Sequence, residues 1–251
     1  MNILAIFLPN YNTCKGLIPD AIGNLKCSDI LKNELSNALK IFLSILTIAF
    51  CFFIPHYANL TIFIYPIVIL FVVWLFLKYV SGETFADIFF SFKRFEIKAI
   101  WIGIIIAIFL SLFFRFVWDP LINSILPSGK IDLSDFASIR NSPVNYVVIL
   151  IIALLVGGFY EEIIFHGFIF TRLEKIFNGK WATPLAFILT TIIFGLYHFQ
   201  QGIKGILLTA IAGAAYHALI LKFNRNLWYG VFVHTFFDFI GLTLIYLGIL
   251  T

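Results

Sequence analysis

The feature that most constrains this chain is a series of apolar runs separated by polar connections. Seven runs could cross the roughly 30 Å hydrocarbon core of a bilayer as helices, the shortest only marginally. They cover approximately residues 41–55, 60–77, 99–118, 144–170, 183–198, 205–221 and 227–250. The chain is 61% hydrophobic and 12% charged, whereas about 25% of residues are charged in soluble domains. The sequence therefore predicts an all-α, polytopic integral membrane protein.

Lysine and arginine predict the orientation, because cytoplasmic loops carry an excess of both. The segments on one predicted side of the bilayer contain 13 of these residues, and those on the other side contain three, namely Lys130, Arg140 and Lys204. Arg115 lies near the outer end of the third run, where snorkelling to the interface explains it. This alternation predicts a multi-pass protein of a bacterial plasma membrane with a cytoplasmic N-terminus. No basic patch is interleaved with exposed aromatics, so nucleic acid is excluded as a partner.

The chain divides into three parts on this pattern. Residues 1–40 form an N-terminal cytoplasmic, amphipathic segment, and residues 41–143 form three transmembrane helices with their loops. Residues 144–251 form a core of four transmembrane helices. We expect a catalytic cavity among these C-terminal four helices.

Ionisable side chains interrupt four of the runs, although each costs about 2.5–3.5 kcal/mol at the centre of a membrane helix on insertion scales. They are Glu161, Glu162 and His166 in the fourth run, His198 at the end of the fifth, His217 in the sixth, and His234 and Asp238 in the seventh. Acids and histidines on several runs favour a shared polar cavity over an isolated structural pair. His217, near the cytoplasmic end of its run, favours interfacial packing, and His56 lies in a short predicted loop.

Helical spacing places some of these groups on common faces. Residues four apart project together, so Glu162 pairs with His166 and His234 with Asp238, while Glu161 must point elsewhere. Gly157 and Gly158, one turn earlier, would allow another helix or a substrate to approach closely. Counted from the neighbouring basic residues, His198 lies deeper than Glu161 or His234, so convergence requires the fifth span to begin late or tilt.

Two chemistries fit these groups. A carboxylate beside imidazoles in a dry cavity can deprotonate water while a histidine stabilises an oxyanion. Alternatively, zinc could be bound by a set drawn from Glu162, His166, His198 and His234. No cofactor is certain from the sequence, and neither chemistry needs a covalent nucleophile.

The motifs resemble the CPBP family of CAAX-protease and bacteriocin-processing membrane peptidases, also called Abi. Its members carry Glu-Glu-x-x-x-Arg, Phe-x-x-x-His and His-x-x-x-Asn or Asp on successive membrane helices. The corresponding residues here are Glu161, Glu162 and His166, then Phe194 and His198, then His234 and Asp238. The resemblance covers about residues 145–240.

The resemblance implies roles for these residues. Glu161 would activate water, His198 would be a second catalytic or water-binding group, and His234 with Asp238 would face the oxyanion. Glu162, His166 and Phe194 would support them. The family was long described as metalloproteases, whereas a glutamate-dependent mechanism is now favoured. Substrates would be peptides or lipidated peptides at the membrane.

The chain departs from the family at His166, where the motif has arginine. A Glu–Arg pair is permanently charged, whereas a Glu–His pair depends on protonation. The main alternative is therefore a non-hydrolytic bacteriocin-immunity or scaffold protein that binds a bacteriocin or a membrane partner. A proton or ion transporter is a further alternative, although no repeated halves support it.

Overall fold

The computed structural model describes residues 21–58, 61–127, 129–140 and 142–250 of the 251-residue chain, with side chains from residue 36 onward. Residues 1–20, half of the predicted amphipathic segment, lie outside the described residues. All regular elements in the described part are helical, which confirms the all-α prediction. Its principal helices, α1 to α7, are Ala21–Tyr57, Tyr65–Ser81, Ile97–Ile125, Pro143–Ile176, Gly179–Tyr197, Phe199–Lys222 and Trp228–Tyr246.

The described helices confirm a multi-pass membrane protein but not the predicted count of seven spans. Six helices are long and apolar enough to cross a membrane, with Ser36–Tyr57 as the apolar part of α1. The exception is α2, which coincides largely with the second predicted run but is shorter than 18 residues. α4 is longer than predicted because it continues to Ile176.

A glycine allows α3 and α7 to lie in close contact. A Cβ atom on Gly103 of α3 would lie 2.7 Å from Phe232 Cβ and 2.8 Å from the backbone carbonyl carbon of Phe232. Helices in lipid associate through this kind of close backbone approach, because burying apolar side chains gains nothing over lipid contact. Gly103 therefore sets the distance at which α7 can lie against α3.

Ion pairs and hydrogen bonds join the helix connections at one end of the bundle, here called the basic end. Arg172 of α4 donates to Ser81 Oγ at 2.8 Å and also pairs with Glu83, which follows α2. Arg225, between α6 and α7, donates to both carboxylate oxygens of Glu174 at 2.6 Å. That hydrogen bonding raises the pKa of Arg225 above its ordinary value, so the pair remains charged.

The opposite end, here called the far end, comprises the α1–α2, α3–α4 and α5–α6 connections and the residues after α7. Lys204 donates to Asn123 Oδ1 at 2.6 Å, and the backbone N–H of Asp132 donates to Gln201 O at 3.1 Å. The ring of His56 packs 4.8 Å from that of Phe199. The fold thus separates the same two sets of connections that the lysine and arginine count separates.

We predict that Gly103→Ala destabilises the protein, because its Cβ meets backbone that cannot rotate away. Overpacking costs about 1–3 kcal/mol, which outweighs the roughly 1 kcal/mol that alanine gains over glycine in a helix. The matched control is Gly241→Ala in α7, where a Cβ meets nothing within 4 Å. Thermal unfolding in detergent should show a lower Tm for Gly103→Ala and an unchanged or higher Tm for Gly241→Ala. Equal effects would contradict this account of the α3–α7 contact.

Candidate active site

Glu161 and Glu162 are both buried on α4 but point in different directions. Glu161 keeps 8% of its surface accessible and lines a cavity, whereas Glu162 is fully buried and faces α7. The helix between Ala153 and Ile169 is wound with the wider turns of a π-helix, which are found frequently at functional sites. The two adjacent acids therefore occupy separate environments.

A cavity of about 560 Å³ contains the first of these environments. The predicted residues Glu161, Phe194, His198, His234 and Asp238 all line it. Its wall is not confined to the C-terminal four helices, because α1, α2 and α3 also contribute. Lining residues from these helices are Pro55, His56, Tyr65, Ser111, Phe114, Arg115 and Asp119.

Polar atoms of four side chains lie close together inside the cavity. Glu161 Oε2 lies 3.7 Å from His198 Nε2 and 4.0 Å from His234 Nε2, and His234 Nε2 lies 3.6 Å from Asp238 Oδ2. These separations exceed those of direct hydrogen bonds. Polar groups held apart at such distances can be bridged by a water molecule. The arrangement can therefore place one small oxygen-containing group between the glutamate and the two histidines.

Each cavity histidine is oriented through its other ring nitrogen. His198 Nδ1 lies 2.9 Å from Phe194 O, which can only accept, so Nδ1 carries the proton and Nε2 faces Glu161. His234 Nδ1 lies 2.9 Å from Glu162 Oε1, and the ring of Tyr216 stacks on His234 with centroids 4.7 Å apart. Orientation by a second partner fixes which nitrogen is available for chemistry.

The absence of side chains at Gly157 and Gly158 lets α7 approach α4 here. A Cβ atom on Gly157 would lie 2.6 Å from Asp238 Oδ2 and 3.4 Å from His234 Nε2, and one on Gly158 would collide with Thr235 Oγ1. The helix contact expected at these glycines is therefore present. It sets the position of Asp238 and His234 relative to Glu161.

Behind the cavity, Glu162 and His166 meet a residue that the sequence analysis placed wrongly. His166 Nε2 lies 3.8 Å from Glu162 Oε1, and His166 Nδ1 lies 2.9 Å from Nδ1 of His217. His217 is 1% exposed rather than packed at the interface. A signal was available: Gly213, His217 and Ile220 are buried at helical spacing, which places His217 on the inner stripe of α6.

His56 was also misplaced by the sequence analysis. It lies in the last turn of α1 rather than in a loop. Its ring packs 4.8 Å from that of Tyr197, which also lines the cavity. Neither His56 nor Tyr197 belongs to a motif with recognisable spacing, so the sequence alone gave no signal for them.

The predicted zinc ligands do not fit a metal site in this conformation. Among the described residues, no three His, Cys, Asp or Glu side chains are arranged to hold a metal ion. Of the predicted set, His198 faces Glu161 in the cavity, whereas His166 and Glu162 lie behind it against His217 and His234. We therefore derive no step through a metal.

Comparison with known proteins identifies the segment that contains these residues. No curated protein and no solved structure matched the chain. Residues 143–240 match the family model described as type II CAAX prenyl endopeptidase Rce1-like. The matched segment begins with α4 and contains the predicted site residues Glu161, Glu162, His166, His198, His234 and Asp238, together with His217. Residues 143–240 are thus similar to CAAX-protease-like membrane peptidases, the family that the motifs resemble.

Proposed function

We propose that this protein is an intramembrane endopeptidase in which Glu161 activates a water molecule. The observation that supports this most directly is that His198 Nε2 and His234 Nε2 lie 3.7 Å and 4.0 Å from the same oxygen, Glu161 Oε2, in the cavity. A water molecule between these three side chains would contact one carboxylate and two imidazoles, and a peptide carbonyl in the cavity could reach it. The similarity of residues 143–240 to a protease family is consistent with a peptide substrate.

In the proposed reaction, the Glu161 carboxylate takes a proton from the bound water while the water oxygen bonds to the peptide carbonyl carbon. Neutral His198, with its proton on Nδ1, offers the Nε2 lone pair to the second hydrogen of the same water. General-base assistance of this kind contributes typically 10²–10⁴-fold in rate. The product of this step is a tetrahedral intermediate with a negatively charged oxygen.

His234 is suited to stabilise that oxygen. Its two ring nitrogens face carboxylates, Glu162 at Nδ1 and both Glu161 and Asp238 at Nε2. A doubly protonated ring would thus have an acceptor at each N–H, and the Nε2–H would point into the cavity. A donor held toward developing negative charge in a dry site is worth several kcal/mol. Collapse of the intermediate breaks the C–N bond, and the proton held by Glu161 passes to the departing amine.

Glu162, His166 and His217 act as the support behind this machinery. If His217 Nδ1–H donates to His166 Nδ1, the proton on His166 lies on Nε2 and points toward Glu162. Glu162 then accepts from His234, which keeps the His234 proton on Nδ1 and aims Nε2 at the cavity, while His166 Nε2–H faces the same carboxylate from 3.8 Å. In this arrangement two histidines take the place of the family's single arginine.

We further propose that α2 crosses the membrane as a seventh span and that the basic end is cytoplasmic, in a bacterial plasma membrane. Support comes from the ion pairs that join the end of α2 to α4 and from the excess of lysine and arginine at that end. The N-terminus would then be cytoplasmic.

We predict that Glu161→Gln, which keeps the size and removes the base, lowers the rate of peptide cleavage by about 10²–10⁴-fold. Cleavage of peptides by the purified protein in liposomes provides the measurement. The matched control is Glu96→Gln at the basic end, where the carboxylate is partly exposed, pairs with Lys98 and accepts from the Tyr229 hydroxyl, a bond that an amide oxygen can keep; the rate of this variant should be unchanged. Full activity of Glu161→Gln would contradict the assignment of Glu161 as the base. Absence of cleavage by the wild-type protein would favour a non-hydrolytic binding role.

We predict that His217→Phe lowers stability by about 1–3 kcal/mol, the cost of a buried polar atom without its partner, here His166 Nδ1. Activity should fall with it, because the proton on His166 is no longer directed to Nε2. His217→Asn, which can return a donor near the position of Nδ1, should recover part of both. Unfolding and cleavage measured on the same preparations test this, and a phenylalanine variant as active as wild type would contradict the supporting role.

A further inference from the structure

We propose that the cavity takes its substrate from the far end, so that the cleaved peptide is an extended apolar segment on the outer side of the membrane. This inference rests on the proposed function and orientation and adds the side of access and the class of substrate. Two observations support it: the positions of the residues that line the cavity, and the packed and hydrogen-bonded residues that close the bundle at the basic end.

Each connection at the far end contributes to the cavity wall. The wall includes residues from the α1–α2, α3–α4 and α5–α6 connections and from the segment after α7. They are Ile62, then Ile131, Leu133, Asp135 and Phe136, then His198, and finally Leu250, and Gln200 and Gln201 of the first turn of α6 line it beside them. None of the lining residues comes from a basic-end connection. Within the described part of the chain, the cavity therefore extends from Glu161 toward the far end and not toward the basic end.

Packed side chains close the other direction. On α4, the residues that follow the acids toward the basic end include Phe165, Ile169 and Phe170, all fully buried. The bonds of Arg172 to Ser81 and of Arg225 to Glu174 then tie the basic-end connections together. Arg94 adds a bond of 2.8 Å to Arg225 O. Within the described residues, Glu161 has no open route to that end.

The size and chemistry of the cavity indicate what enters. A volume of about 560 Å³ lies within the roughly 300–1,000 Å³ range of small-molecule pockets. It can hold a short extended segment and cannot hold a folded domain. The wall is mainly apolar and also includes the charged residues Arg115, Asp119 and Asp135. A lipidated peptide end in the cytoplasm would approach from the closed side.

Cysteine labelling tests the side of access without requiring a known substrate. Cys14, Cys27 and Cys51 are first replaced by alanine, and single cysteines are then introduced into that background. Ser111→Cys and Gly241→Cys report on the cavity, since both positions line it and a Cβ at Gly241 meets nothing within 4 Å. The exposed residues Lys130 and Lys93 supply the markers, Lys130→Cys at the far end and Lys93→Cys at the basic end.

The probe is a charged, membrane-impermeant methanethiosulfonate applied to sealed right-side-out and inside-out vesicles. We expect Ser111→Cys and Gly241→Cys to be modified together with Lys130→Cys in right-side-out vesicles, and Lys93→Cys only in inside-out vesicles. Modification of the cavity cysteines together with Lys93→Cys would overturn the proposal. So would an absence of modification from either side, or a Lys130→Cys that reacts only in inside-out vesicles.

Adding Glu161→Gln to the same variants separates this proposal from the catalytic one. The labelling pattern should not change, because access does not depend on the base. If Glu161→Gln kept full cleavage, the catalytic role would fail while the side of access stood. If cleavage were lost but the cavity cysteines followed Lys93→Cys, the side of access would fail while the catalytic role stood.

Discussion

The structure depends on how two adjacent carboxylates are accommodated inside apolar helix. An unpaired charge in a low-dielectric interior is too costly to persist, so each acid needs its own polar surroundings. For Glu162, protein side chains supply these surroundings: His234 is hydrogen-bonded to it at 2.9 Å, and His166 lies 3.8 Å away. For Glu161, the cavity supplies these surroundings, and the nearest histidine nitrogens are too distant for direct hydrogen bonds. One acid is thereby fixed in position by protein contacts, and the other faces the cavity.

The same interaction couples the helices. His234 is the shared element, because one ring nitrogen bonds Glu162 and the other faces the cavity beside Glu161 and Asp238. α7 can bring it there only because Gly157 presents no side chain to Asp238 and Gly103 presents none to Phe232. The polar contacts therefore require that the helices approach closely at these glycines, because a side chain there would move α7 away from its partners.

The apolar runs and their charges were enough to predict an all-α membrane bundle and which residues share a helix face. They could not predict exact helix ends, and this accounts for the apparent mismatch in depth between Glu161 and His198. α4 continues to Ile176 instead of ending near residue 170, so Glu161 lies 15 residues from that end. His198 lies 16 residues beyond Ala182, where the α-helical part of α5 begins. Partners from different helices, such as His166 and His217, depend on packing that a single run does not encode.

The departure of His166 from the family's arginine follows from this packing. A guanidinium offers five donors and no acceptor, and it suits a site with several acceptor oxygens. Here the neighbour of residue 166 on the side away from Glu162 is a histidine, whose ring can either donate or accept. An imidazole at position 166 can bond to it through one nitrogen and still point the other at the carboxylate. The substitution therefore exchanges a fixed charge for a pair of rings whose tautomers depend on each other, and it makes the position of Glu162 depend on α6 as well as on α4.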